Sequence, residues 1–272
     1  QYGQLLLGRQ DEMMADYVGM YTAVPLLGGI ETPHPADLDN TGIDFRINSA
    51  IRYNSPNIGG FTGSALYSGD STTGTFGQSS TKSFGLNYNN GGLNIAGAYT
   101  SVGNPSSLTD ALFTSPSNPI AGYGYSQRYQ AFGLATLYDF GNAKLGFNWT
   151  NTKFLGLDKS ATGATNWGGV STGHVSFNTF EILGTYNFTA SLVGGLFYNY
   201  TDGAISATRQ EPRYHTVGAT LDYFLSKRTD VYVLTTYMKA AGDAQYAALL
   251  PTVGASSSSS QAIFRIGVRH KF

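Results

Sequence analysis

Phe180-Glu181-Ile182-Leu183-Gly184-Thr185-Tyr186-Asn187-Phe188 decides the fold class. Phe180, Ile182, Gly184, Tyr186 and Phe188 fall on one parity; Glu181, Leu183, Thr185 and Asn187 fall on the other. Side chains of a β-strand alternate with period two, so the run has one aromatic, apolar face and one largely polar face. The period recurs in both directions along the chain. It appears in Phe84-Gly85-Leu86-Asn87-Tyr88, and in Leu93, Ile95, Gly97, Tyr99 against Asn94, Ala96, Ala98. Leu145, Phe147 and Trp149 stand against Lys144, Gly146, Asn148 and Thr150. Val217, Ala219, Leu221, Tyr223 and Leu225 oppose Thr216, Gly218, Thr220 and Asp222. Phe264, Ile266, Val268, His270 and Phe272 oppose Ile263, Arg265, Gly267, Arg269 and Lys271. Period 3.6 finds little.

Composition narrows the class further. Among the 272 residues only 12% are charged and 35 are Gly, while the hydrophobic fraction is 41%. Usual values are about 25% charged and about 7% Gly. Neutral polar residues, 19 Tyr and 16 Phe stand where charge would be, which argues against disorder. With no Cys there is no disulfide framework, thiol nucleophile or Cys metal site. A net charge of −1 lacks the basic footprint of a nucleic-acid binder. The longest apolar run, Ala23–Ile30, is broken by Pro25, Gly28 and Gly29 and falls short of the roughly 20 residues of a membrane helix. No charged-then-apolar leader opens the sequence.

Twelve candidate strands cover 1–10, 43–54, 61–68, 81–89, 93–101, 126–140, 143–153, 176–188, 192–201, 213–225, 230–239 and 261–272. Strands of soluble proteins have a mode near 5–6 residues; a tilted membrane strand takes about 9–11, and most of these runs reach that length. The connections between them alternate long and short. The short ones carry turn chemistry, as in Ser55–Gly60, Asn90-Gly91-Gly92 and Gly141-Asn142; the long ones, as in Asp70–Gln78 and Ala255–Ser260, are rich in Ser, Thr, Gly and Asn. A soluble sandwich also alternates, but it has no reason to sort its loops by side. Sorted loops, alternating strands and aromatics near strand ends (Tyr53, Tyr67, Tyr88, Tyr99, Trp149, Tyr186, Phe188, Tyr198, Tyr223, Tyr237) predict an all-β fold. The fold is a transmembrane antiparallel up-and-down barrel with a polar, aqueous interior.

The residues then show a specific resemblance. Tyr2-Gly3-Gln4-Leu5-Leu6-Leu7-Gly8-Arg9-Gln10, Asn48–Pro56 followed by Gly60-Phe61, Tyr138-Asp139-Phe140-Gly141, Ser226–Tyr232 and the closing Gly267–Phe272 carry it in order over essentially the whole chain. The chain resembles the Gram-negative general porins, trimeric sixteen-stranded diffusion channels, and in particular their betaproteobacterial branch. The resemblance implies the bacterial outer membrane, surrounding lipid, a homotrimer, ions and small hydrophilic solutes in transit, and no cofactor. It makes Phe272 the terminal aromatic of the insertion signal. In that family the Leu-Gly-Arg-Gln segment ends the fifth strand, so the expectation is four further strands before Gln1. A self-contained twelve-stranded barrel, with an adhesin or structural role, is the alternative.

Residues 11–42 are the richest in functional signal. From Gln10 to Phe45 there is no Lys or Arg, but there are seven acids: Asp11, Glu12, Asp16, Glu31, Asp37, Asp39 and Asp44. A run of charge is ordinarily a solvated face, yet Met13, Met14, Tyr17, Val18, Tyr21, Val24, Leu26 and Leu27 need a wall to pack on. By resemblance this is the third loop, which folds into the barrel and narrows the pore. Its constriction acids would be Asp11, Glu12, Asp16, Glu31, Asp37 and Asp39. Over 43–54 the parity of Asp44, Arg46, Asn48, Ala50 and Arg52 is expected to face the lumen, since an arginine facing lipid near the midplane costs about 2–4 kcal/mol. Arg9, Asp44, Arg46 and Arg52 are therefore the expected pore wall. Acids opposite arginines would set up a transverse field and bias ion selectivity; ion pairs that simply tether the loop remain an equal reading. Lys144, Arg265, Arg269 and Lys271 share the lumen parity. In 126–140 the parity puts Arg128 and Gln130 outward, which requires a bulge or a strand end above the bilayer.

Enzyme chemistry finds no support. His34, His174, His215 and His270 are scattered, with no HExxH pair and no nucleophile elbow, and Glu181 and Asp222 have no evident partner. No catalytic or metal-ligating residues are assigned. The expectation is a single porin domain over 1–272 that passes ions and small hydrophilic solutes by passive diffusion; a substrate-specific channel is the alternative.

Overall fold

A computed structural model describes residues 2–43, 45–69, 79–108, 121–157, 172–250 and 254–272. Twelve strands form one sheet: β1 Gln4–Gln10, β2 Ile47–Asn54, β3 Phe61–Ser68, β4 Thr81–Asn90, β5 Leu93–Gly103, β6 Ser126–Asp139, β7 Ala143–Leu157, β8 Gly173–Asn187, β9 Leu192–Ile205, β10 Pro212–Phe224, β11 Thr229–Gly242 and β12 Ser260–His270. Each pairs antiparallel with its sequence neighbours in an up-and-down order from β1 to β12. The outermost ladders are β1–β2 and β11–β12, so β1 and β12 form the two edges of the described sheet. No described helix is long and apolar enough to cross a membrane.

Alternation works as the sequence indicates. Along β6, Tyr129, Ala131, Ala135 and Leu137 are buried while Phe132, Leu134 and Tyr138 are exposed. The outer face carries Phe84, Leu86, Phe147, Phe180, Ile182, Leu221, Tyr223, Phe264 and Ile266, an apolar band that only lipid can satisfy. Phe132 packs on Trp149 at 5.7 Å and Trp149 on Phe180 at 6.5 Å. Near the short turns sit Phe61 against Tyr88, Tyr138 against Phe140, Tyr186 against Phe188, and His270 against Phe272. These pairs form an aromatic rim along one end of the sheet, where amphipathic rings suit the lipid–water boundary.

The register within β6 is regular, so Arg128 and Gln130 face outward without a bulge. They lie at the long-loop end, where Gln130 donates to the Tyr99 hydroxyl at 2.9 Å. The expected strict sorting of loop lengths has one exception. β9 and β10 extend toward each other until only residues 206–211 connect them, no longer than the 55–60 turn on the other side.

The single parity expected over 43–54 also breaks. Gly8 pairs with Ala50 but Gln10 pairs with Ile47, so one extra residue is accommodated in β2. Ser49 takes φ +50°, the left-handed conformation of a bulge. Below the bulge Arg52 points inward; above it Phe45 and Ile47 are buried inside and Arg46 takes the opposite parity. Asp44 lies outside the described residues.

Candidate functional site

Residues 11–42 leave β1 and lie across the inner faces of the sheet. Short helical turns at Met14–Val18, Gly19–Tyr21, Val24–Gly28, Gly29–Glu31 and Pro35–Asp37 carry the path. Glu12 knots its base. The buried carboxylate accepts from the backbone N–H of Met14 at 2.7 Å and Ala15 at 3.0 Å, from Asn40 Nδ2 at 2.9 Å and from the Thr100 hydroxyl on β5. Burial drives its pKa up to about 7, with those hydrogen bonds opposing. Asn40 bonds both backbone groups of Phe45 and so ties the loop's exit to its entry. Asp37 accepts from the Gly42 N–H at 2.7 Å and is buried. Ala36 and Asp37, each at φ +49°, make the sharp reversal there.

The wall meets the loop strand by strand. Tyr17 shares a 2.6 Å hydroxyl contact with Ser64 on β3, and the Met13 N–H donates to Ser83 on β4 at 2.8 Å. The Tyr21 hydroxyl donates to Asn87 at 2.7 Å, and Tyr129 on β6 donates to the Leu38 carbonyl at 3.2 Å. Asp39 accepts from Thr150 on β7 at 2.5 Å, and the Ala23 N–H donates to Glu181 on β8 at 3.0 Å. Thr236 on β11 donates to the Glu31 carbonyl at 2.9 Å. Two ion pairs bracket the span: Asp16 with Arg52 on β2, and Glu31 with Arg265 on β12. A loop that bonds inner-face residues from β2 to β12 requires the sheet to curl around it. Two inner-face glycines make room for it. A Cβ on Gly85 would lie 2.6–2.9 Å from the Tyr17 ring, and one on Gly133 would lie 2.8 Å from Met14 Cε.

Behind the loop the inner face is covered. Asn148, Thr150, Thr179, Thr201 and Thr216 are fully buried, and Tyr123, Tyr129, Phe154 and Phe177 form an apolar cluster with the loop's Met13, Met14, Val18 and Leu38. The inner face on this side is polar as expected, but the loop's residues cover it rather than leaving it open to the channel. A second inward segment joins them. Ala247–Leu250 of the last long loop is buried, and the Ala36 N–H lies 3.1 and 3.2 Å from the Ala248 and Leu249 carbonyls.

The fully buried His34 closes the densest network. Its Nδ1 lies 2.5 Å from Asp39 and its Nε2 3.7 Å from Glu181. Burial favours the neutral ring, but the Asp39 carboxylate and its hydrogen bond, with Glu181, outweigh it and raise the imidazole to about 9. Burial likewise opposes ionisation of Asp39, yet the His34 charge and bonds from His34, Thr150 and Thr41 hold it below the usual carboxylate range.

The acids of the sequence-derived set therefore meet partners. Asp16, Glu31 and Asp39 are paired as above, and Asp11 pairs with Arg46 at 2.6 Å. Arg9 shares the parity of Leu5 and Leu7, whose partners Tyr53 and Ile51 lie on the outer face; that placement departs from the expected lumen wall. Sequence reasoning missed His34 and Glu181 and underrated Arg265 and Arg269. The available signal was one histidine in a cation-free acidic loop and two arginines on one parity of β12. Arg269 bridges Asp222 and Asp230, each at 2.8 Å, and both guanidiniums lie over the Tyr232 ring at 5.5 and 5.8 Å. These arginines border a cavity of about 760 Å³ between the 24–31 stretch and β8–β12. Asp16, Arg52 and Tyr21 border another of about 380 Å³. Among the described residues no group of three or more His, Asp or Glu is placed to hold a metal ion.

Comparison with known proteins places the chain. The family described as Gram-negative porin matches residues 1–243. The anion-selective porin of Comamonas acidovorans superposes with a TM-score of 0.72 at 20% identity, covering 100% of this chain and 75% of that one. The trimer form of OmpT from Vibrio cholerae gives 0.64 at 14%, covering 99% and 77%. Salmonella typhi OmpF in complex with daunomycin gives 0.59 at 15%, covering 98% and 74%. No curated protein matches. With the family spanning most of the sequence and every strand in porin order, the chain belongs to the Gram-negative porins, outer-membrane β-barrel channels for the passive diffusion of solutes.

Proposed function

We propose that residues 1–272 work as one porin domain in which loop 11–42 is the constriction, and that ions and small hydrophilic solutes pass beside it without chemistry. The observation that carries this reading is the loop's chain of bonds to inner-face residues from β2 to β12. The inward aromatics Tyr123, Tyr129, Phe154 and Phe177 are fully buried behind the loop, and Tyr21 and Tyr232 border separate cavities, so no continuous stacking track is offered to a selected solute, which favours a general channel.

On the β12 side of the loop the exposed charge favours anions, whereas at the Arg52–Asp16 pair the carboxylate is the more exposed partner. Arg265 and Arg269 are 44% and 52% exposed, whereas their partners Glu31, Asp222 and Asp230 are 12%, 17% and 3% exposed. A passing ion meets the guanidiniums more than the carboxylates behind them. The similar Comamonas acidovorans protein is an anion-selective porin, which agrees in sign. Assembly as a homotrimer within outer-membrane lipid is proposed on the likeness to trimeric OmpT. Planar-bilayer recording under a salt gradient tests the reading: stable conductance with an anion-selective reversal potential is expected. No conductance from pure protein would overturn the channel, and a cation-selective potential would overturn the selectivity.

A further inference from the structure

Loop 11–42 carries many anchors, but one is unlike the rest. Both ring nitrogens of His34 face carboxylates, Nδ1 toward Asp39 of its own loop and Nε2 toward Glu181 of β8. Only an imidazolium has an N–H at both positions. The remaining acceptor positions are largely used. Glu181 Oε1 takes Asn148 Nδ2 at 2.7 Å and the Ala23 N–H at 3.0 Å, and Asp39 takes the Thr150 and Thr41 hydroxyls. His34 Nε2 and Glu181 Oε2 are buried and find no hydrogen-bond partner other than the facing charge across 3.7 Å.

Everything else that packs here is neutral or negative. β7 contributes Asn148 and Thr150, and β6 contributes the phenol of Tyr129, which bonds the Leu38 carbonyl. The loop contributes Asp39, with Glu12 and Asp37 the next carboxylates around Tyr129. Among the described residues, His34 is the one cation within ion-pair distance of Asp39 or Glu181. Losing its proton would leave a carboxylate pair buried without compensation, which an interior of low polarizability does not tolerate. Proton uptake by one carboxylate, entry of water or loop movement must then relieve it.

From this geometry we infer that His34 is the positioning residue of the constriction: as an imidazolium it clamps the 32–41 half of the loop to β8, and on deprotonation it releases that half. The inference rests on the loop acting as the constriction, as proposed above, and adds a regulator to it. The raised imidazole pKa sets the window. The folded value of about 9 lies above the ordinary 6.5, so the clamp is complete below pH 6.5 and is lost as pH rises through about 9. A shift of that size corresponds to roughly a 300-fold change in the ratio of clamped to released loop.

Single-channel recording of the full chain between pH 6 and pH 10 tests it. For the unaltered protein, quiet openings are expected to pH 8, with conductance noise and altered conductance setting in near pH 9. His34→Gln should show the noisy state at every pH. Glu181→Gln should move the onset at least tenfold in proton concentration toward neutrality, because one of the two carboxylates that hold the proton is gone. His34→Gln with Glu181→Gln should be quieter than His34→Gln alone, since one of the two carboxylates left without a cation is gone. The inference is overturned if the onset in Glu181→Gln coincides with that of the unaltered protein, or if His34→Gln titrates as the unaltered protein does. Should His34→Gln fail to fold, the Glu181→Gln shift decides. Absence of any conductance at any pH would instead overturn the channel reading.

Discussion

Replacing Arg265 by Gln should weaken anion preference by an amount the structure lets one work out. The guanidinium sits on β12 beside the 760 Å³ cavity, 44% exposed, with Glu31 as its ion-pair partner. The substitution removes one positive charge and leaves Glu31 in place. For an ion passing at about 7 Å in a water-like dielectric, the lost interaction is about 0.6 kcal/mol, which screening at 0.1 M salt reduces to about 0.3. Anions and cations shift in opposite senses, so the anion-to-cation permeability ratio should fall about threefold at 0.1 M and about fivefold at 0.01 M. Breaking an ion pair this exposed costs about 0–1 kcal/mol, so the channel itself should survive. The assay is the reversal potential in planar bilayers at both salt concentrations. Lys239→Gln is the control, because Lys239 lies on the outer parity with Tyr237 and bonds Ser259 rather than the loop. An unchanged reversal potential in a conducting Arg265→Gln channel, or an equal shift in Lys239→Gln, would refute the placement of Arg265 on the ion path.

The pKa of Glu12 gives a stability profile with a definite sign. Its folded value of about 7 lies above the ordinary 4.5, so the folded state holds the proton more tightly, and stability falls as pH rises from about 4.5 to about 7. The thermal midpoint of the unaltered protein should drop across that interval, with a full effect of about 3 kcal/mol, while Glu12→Gln should be flat there; parallel profiles would count against the buried carboxyl. Gly85→Ala puts a methyl 2.6–2.9 Å from the Tyr17 ring, so the 14–18 turn must move into the lumen at a cost of about 1–3 kcal/mol. A lowered single-channel conductance with retained trimer or barrel signature is expected, and unchanged conductance would indicate that the turn does not border the pore.

Local physics made much of this legible in advance. Strand alternation and turn chemistry are short-range, so runs such as 180–188 and 217–225 announce both their type and their outward face, and the aromatic rim follows from them. Long-range features were less legible. Ser49 looks like any polar strand residue, yet its positive φ inverts the parity of everything toward Phe45. Leu183 sits among polar residues on its parity, but packs on Ala23, Leu27, Leu137 and Phe197 once the loop lies inside. His34 and Glu181 are far apart in sequence and meet only because the loop crosses to β8. The acidic run leaves a transverse field and loop-tethering ion pairs as equal readings; burial of Glu12 and Asp39 and pairing of Asp16 and Glu31 give weight to the tethering one. No local pattern encodes such partnerships.

The central claim is that loop 11–42 lies inside the barrel against its wall, and a disulfide measures that most directly. The chain has no cysteine. A Cβ on Gly133 would lie 3.0 and 3.2 Å from the two Cγ atoms of Val18, which with one further C–C bond places the two Cβ atoms within about 4.5 Å, inside disulfide range. Val18→Cys with Gly133→Cys in the membrane-embedded protein should therefore cross-link almost completely under mild oxidant, while Val18→Cys with Leu134→Cys, whose side chain faces outward, should not. Two free, reagent-accessible thiols in the first pair after oxidation would contradict the account.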